Sequence, residues 1–161
     1  MKNMTSFQKI SLALLRVSLG WFMFYAGVTK VLDPAWSAGG YLKGAKNLAG
    51  FYQWLANPDI LPAVNFINEW GLALLGVSLI LGIAVRLSSV LGAILMLLYY
   101  IPILDFPYPN AHAYIVDEHI IYIFVLLFFA ASRAGRIYGL EKWCASLPIC
   151  SKFPWLRNLL G

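Results

Sequence analysis

Four stretches of this sequence, about residues 10–32, 63–85, 87–104 and 114–132, are long and apolar enough to be read as helices that cross a bilayer. A helix rises about 1.5 Å per residue, so ~20 apolar residues cover ~30 Å of hydrocarbon. Lipid offers no hydrogen bonds to a backbone, which must therefore satisfy itself along the segment. The composition agrees: 61% of the 161 residues are hydrophobic and 12% are charged, where a soluble domain carries about a quarter. The expected fold is all-α, an integral membrane four-helix bundle in a single domain, residues 1–161. A long extracytoplasmic connection joins the first two helices, and residues 133–161 form a basic cytoplasmic tail. No length remains for a separate soluble catalytic domain.

The charges orient this bundle. Lys2, Lys9, Arg86, Arg133, Arg136, Lys142, Lys152 and Arg157 fall on one side of the apolar runs, whereas Lys30, Lys43 and Lys46 share the other with Asp33, Asp59, Asp105 and Asp117. The positive-inside rule places both termini in the cytoplasm of a multi-pass protein of the cell membrane. The N-terminal MKNMTSFQK leads into the first run without a small-residue cleavage site, so that run is read as a retained helix. The net charge of +5 has the same origin. The basic residues form no dense patch with interleaved aromatics, so membrane lipid is the expected partner and nucleic acid is not.

Between the first two runs, residues 33–62 mix Trp36, Tyr41, Phe51, Tyr52 and Trp54 with Gly, Lys and Asn. That mixture predicts short amphipathic helices at the membrane surface, placed as a lid. Small residues predict close helix approach: Gly20 and Gly27 on the first run, and the pairs Ser78/Gly82, Ser88/Gly92 and Ala131/Gly135 on the others.

Charges inside apolar runs are the candidates for chemistry, since each costs about 2.5–3.5 kcal/mol to insert at mid-membrane. Arg16 lies in the first run and Glu69 in the second, with Lys30, Asp117, Glu118 and His119 nearer the outer boundary. The topology gathers Lys30, Glu69, Asp117, Glu118 and His119 in the outer third of the bundle. Arg16, entering from the cytoplasmic side, is expected ~10 Å from Glu69. Ion pairs that fix helix register, or side chains that reach the headgroups, explain the same pattern without chemistry. A metal is not expected: only His112 adds a second imidazole, and no Cys lies near. Cys144 and Cys150 have neither redox nor zinc spacing.

An aromatic-lined apolar slot with acids and bases at one end suits a quinone, whose tail partitions into lipid and whose reduction needs two protons. Glu69, Glu118 and His119 are the expected proton-handling groups. Arg16, Lys30, Asp117 and Tyr122 are the expected contacts to substrate or quinone.

Three segments carry a family resemblance. LLRVSLGWFMFYAGVTKVLDP resembles the Arg-x-x-x-Gly … Gly-x-x-Lys-x-x-Asp-Pro pattern of the DoxX family, and EWGLALLGVSLILGIAVRLSS resembles its Glu-x-Gly … Gly-x-x-x-Arg stretch. DEHIIYIFVLLFFAASRAGRIYGLEKW is similar to the last helix of the DoxD-like branch, with its A-G-R-x-x-G-L-[DE] exit. The resemblance implies a four-helix membrane protein. For the DoxD-like branch it implies the large subunit of a thiosulfate:quinone oxidoreductase, which joins two thiosulfates into tetrathionate and passes the electrons to quinone. It also implies a small second subunit, DoxA-like, of which this chain holds no trace. The competing expectation is a non-catalytic membrane anchor or assembly partner for redox proteins, which docks through the basic tail with Trp143 and Trp155.

Overall fold

The computed structural model of the chain describes residues 4–146. Lys2, Cys150, Lys152, Trp155 and Arg157, all assigned above to the basic side or the tail, lie outside the described residues. The elements in chain order are α1 (Ser6–Val31), α2 (Gly39–Lys43), α3 (Ala49–Leu55), α4 (Leu61–Leu81), α5 (Val85–Ile103), α6 (Glu118–Ser132), a 3-10 turn (Ala134–Arg136) and α7 (Glu141–Ala145). No β-strand forms among the described residues; two isolated bridges, Asp105 with Tyr108 and Asn110 with Ala113, pin the loop before α6.

Three helices, α1, α4 and α5, are long and apolar enough to cross a membrane. The fourth expected span, 114–132, is trimmed to the 15 residues of α6, about 22 Å of helix. The physical reason is local. Asp117 caps α6 by accepting the His119 and Ile120 N–H groups at 3.0 and 3.3 Å. Residues before it are held as a loop, with the Tyr100 hydroxyl on the Ile115 carbonyl and Ile115 N–H on the Pro107 carbonyl at 2.8 Å. At the other end of the chain, α1 begins in a capping box in which Thr5 Oγ1 accepts from Gln8 N and Gln8 Oε1 accepts from Thr5 N.

The tightest packing is between α1 and α4, which run antiparallel. Gly20 lies against Gly76, Leu79 and Ile80, and Gly27 against Glu69 and Ala73, with no room for a side chain. Of the other small residues, Gly92 brings α5 close to Leu126 of α6, and others make more specific contacts. Ser78 Oγ bonds Ser88 Oγ at 2.8 Å between α4 and α5, and Gly82 is the left-handed cap that ends α4 at Leu81. Gly135 lies under a carboxylate. α5 packs on α6, and Leu12, Leu19, Met23, Leu79, Leu126 and Phe129 are buried in the shared core.

The connection carries two short helices, as its composition predicts, and one residue of α5 explains where they dock. Pro102 has no N–H to return to the Leu98 carbonyl, four residues back. The buried Tyr52 hydroxyl on α3 fills that vacancy at 3.0 Å, and the Tyr41 hydroxyl on α2 donates to the next carbonyl, Tyr99. Lys46 N–H reaches the Pro102 carbonyl at 2.8 Å, and the Asn47 amide reaches that of Leu104. The Tyr41 phenol is pushed up to about 12, chiefly by burial, so it remains a donor at any physiological pH. Tyr52→Phe is expected to cost about 1–2 kcal/mol by orphaning the Leu98 carbonyl. Hydrogen exchange should then quicken across residues 39–55; unchanged protection there would show that the hydroxyl does not hold the segment.

The 133–146 part of the expected tail folds back on the bundle, with Ala134, Gly135, Ile137 and Glu141 buried.

Candidate functional site

At the end of the bundle covered by the connection, α1, α4, α5, α6 and the connection line an open cavity of about 300 Å³. α1 contributes Lys30, α4 Asn68, α5 Tyr99 and Ile103, and α6 His119. Trp36, Ser37, Ala38 and Tyr41 close it from the connection. The helix register follows from the glycine contacts: with Gly27 set against Ala73, one further turn places Lys30 opposite Asn68.

Lys30 is held in an unusual way for a half-buried cation. Its Nζ donates to Asn68 Oδ1 at 3.2 Å and lies over two rings, 5.2 Å from the centroid of Trp36 and 5.7 Å from that of Tyr99. Such contacts stabilise an ammonium by about 0.5–2 kcal/mol. Glu69 acts on it through space, but no carboxylate forms an ion pair with it among the described residues. Across the cavity, His119 stands edge-on to Tyr99, ring centroids 6.1 Å apart. Its Nδ1 is 2.7 Å from Oδ2 of Asp117, which is buried. A carboxylate on Nδ1 fixes the ring and leaves Nε2 for exchange with a ligand.

The arrangement brings together only part of the expected site. Lys30 and His119 line the cavity, and Asp117 backs His119. Glu69 is the neighbour of Asn68 but does not line it. Glu118 is exposed, because the helix turn that points His119 inward points the preceding residue away. Tyr122 packs on Phe22, centroids 5.2 Å apart, in a separate groove between α1 and α6. Asp117, Glu118 and His119 can bring ligand atoms within 4.8 Å of one another. Trp36 and Tyr41, expected only as part of a lid, line the cavity, and Asn68 and Tyr99 are cavity residues that the sequence did not single out. A buried amide beside Glu69, and a Tyr pair just before Pro102, were the available signals.

Arg16 is at the opposite end, fourteen residues or about 21 Å of helix from Lys30, and not beside Glu69. Its Nη1 donates to the carbonyls of Ala134 and Ile137 at 2.6 and 3.0 Å, and its Nη2 to that of Tyr138 at 3.2 Å. It thus ties α1 to the 3-10 turn and the residues that follow it. Glu141, fully buried in the same cluster, has Arg136 Nε 3.7 Å from its Oε1. Burial pushes its carboxyl up, against the pull of Arg136, Arg133 and Arg16. This residue closes the A-G-R-x-x-G-L-[DE] pattern, which was the sequence signal for it.

A second groove, about 470 Å³ and almost wholly apolar, runs between α4 and α5. Its ends include Ile67 and Leu98, the chain neighbours of the cavity residues Asn68 and Tyr99.

The family model described as DoxX matches residues 11–105, from α1 through α5. It therefore covers Lys30, Asn68 and Tyr99 but stops short of Asp117 and His119. Comparison with curated proteins and with solved structures gave no match.

Proposed function

The chain belongs to the DoxX family of membrane proteins, and from that premise we propose that it is the membrane subunit of a quinone-linked oxidoreductase. The observation that carries the reading is the cavity in which an ammonium with no ion pair among the described residues, Lys30, faces an aspartate-backed imidazole, His119, between aromatic walls. Both termini are taken to be cytoplasmic, so the cavity opens outward and α6 completes a four-helix bundle. The cavity takes the ring, and the apolar groove between α4 and α5 takes the tail. A quinone supplies a two-electron acceptor whose oxygens gain charge on reduction and then two protons. Lys30 donates a hydrogen bond to one oxygen and stabilises that charge. His119, protonated at both ring nitrogens, passes its Nε2 proton to the other, and the Asp117 carboxylate on Nδ1–H stabilises the imidazolium that does so. Thiosulfate is the first donor to test: two thiosulfates joined as tetrathionate release the two electrons required. A DoxA-like second subunit is the expected site of that chemistry. Glu69 and Glu118, the chain neighbours of the cavity residues Asn68 and His119, are the groups through which protons are replaced.

The test is quinone reduction by the protein in nanodiscs with thiosulfate as donor, with and without co-expressed partner subunits. Lys30→Met and His119→Ala should each lose about a hundredfold in rate with melting temperature retained, whereas Glu118→Gln, which leaves Glu69 to replace protons, should lose less. No turnover with any partner, and no quinone detected by mass spectrometry in the purified protein, would favour the anchor reading. The exposed Trp143 would then belong to the docking surface.

A further inference from the structure

Tyr99 is held in place by its surroundings at every point except one. Its ring takes the Lys30 ammonium on its face at 5.7 Å and the His119 ring against it at 6.1 Å. Tyr41 packs edge-on at 6.3 Å, and the Tyr41 hydroxyl bonds the Tyr99 backbone carbonyl. None of these contacts uses the Tyr99 hydroxyl; a phenylalanine would make them all. Yet Oη is buried and completes no hydrogen bond. The Asn68 side chain interacts with it, but with Oδ1 engaged by Lys30 that amide can offer Oη only an N–H, which leaves the hydroxyl's own hydrogen without an acceptor. Buried polar groups are nearly always paired, and an orphan calls for an explanation. The other orphans are Ser89 Oγ, Arg16 Nε and the Glu141 oxygens, and none of those residues lines this cavity. Tyr99 alone among them borders a space large enough for a ring compound.

We infer that the partner of Tyr99 Oη is the ligand of this cavity, and that Tyr99, Lys30 and His119 together select a planar ring that carries acceptor oxygens. The inference rests on the reading of the cavity as a binding site given above, but does not require the ligand to be a quinone. An aromatic carboxylate offers the same acceptor chemistry. The hydroxyl serves as a donor to the bound oxygen, while the ring beneath it keeps Lys30 and His119 apart and oriented. The next residue supplies an internal comparison: the Tyr100 hydroxyl is bonded within the protein, to the Ile115 carbonyl.

The experiment compares wild type, Tyr99→Phe and Tyr100→Phe as full chains in nanodiscs. Binding of decylubiquinone and of benzoate is titrated by tryptophan fluorescence, and each melting temperature is recorded. The expected result is that Tyr99→Phe binds the probe about tenfold more weakly with no fall in melting temperature. Tyr100→Phe should do the reverse. Wild-type affinity in Tyr99→Phe would overturn the inference while leaving the quinone reading intact. Benzoate binding that weakens in Tyr99→Phe, with no binding of decylubiquinone to wild type, would support the inference and remove the quinone reading. If wild type binds neither probe, the hydroxyl has no ligand of this class and the inference falls.

Discussion

Arg16→Met is expected to lower stability by about 3–5 kcal/mol, the range for removing one partner from a buried ionic cluster. In a chain of this size that corresponds to a fall of roughly 10 °C in melting temperature. The guanidinium is 1% exposed, and its loss frees the carbonyls of Ala134, Ile137 and Tyr138 at once. It also removes one of the three positive charges that hold the Glu141 carboxyl down against its burial. Arg16→Lys keeps the charge but cannot fork to three carbonyls, so an intermediate loss is expected. The pH dependence has a definite sign. Glu141 titrates above its unfolded value in the native protein, so the fold binds the proton more readily than the unfolded chain does. Its penalty is absent below the ordinary carboxyl range, grows as pH rises through the interval up to the raised native value, and is complete above it. Removing Arg16 widens that interval, so the variant should lose more stability at pH 7.5 than at pH 5. Adding Glu141→Gln to Arg16→Met should recover part of the loss and flatten this slope. Thermal unfolding in detergent across that pH range is the measurement. Unchanged melting with weakened ligand binding would instead make Arg16 a binding residue.

The second large effect is expected from one methyl group. A Cβ at Gly76 would stand 2.3 Å from Phe24 N and 2.6 Å from the Gly20 carbonyl oxygen. Both neighbours are backbone, so no side chain can rotate away and α1 must move off α4. Helices in lipid associate through such close packing and little else. Gly76→Ala is therefore expected to cost about 3 kcal/mol, the upper part of the range for overpacking. The displacement would also separate Lys30 from Asn68, which are carried by the same two helices. Gly71 is the control. It lies on α4 with nothing within 4 Å of its ideal Cβ, so Gly71→Ala should raise stability by up to about 1 kcal/mol through helix propensity alone. Equal melting temperatures for the two variants would show that α1 and α4 do not meet as described.

The sequence by itself determined the helices and much of their packing logic. Long apolar runs in α1, α4 and α5 leave a backbone few other ways to satisfy its polar groups in lipid, and their ends fall within about a turn of the expected ones. Gly20 and Gly27 announced a close helix contact, because absent side chains are visible in a sequence. Caps were not: the apolar runs start at about residues 10 and 114, whereas Thr5 with Gln8 starts α1 and Asp117 starts α6. Charge placement was legible, but charge pairing was not. Arg16 and Glu69 share the two most tightly packed helices, yet the antiparallel register puts one end of α1 beside the 3-10 turn and the other beside Asn68. That register depends on which glycine faces which backbone. The cavity depended still more on tertiary structure. Asn68 became a Lys30 acceptor, and Tyr41 and Tyr52 became donors to carbonyls around a proline kink, only when segments tens of residues apart were brought together. Glu118 and His119 are adjacent in sequence and were read as one pair. The 100° turn between helix neighbours sends one toward the cavity and the other to the surface, a separation that depends on where Asp117 starts the helix and on how α6 then packs against α5.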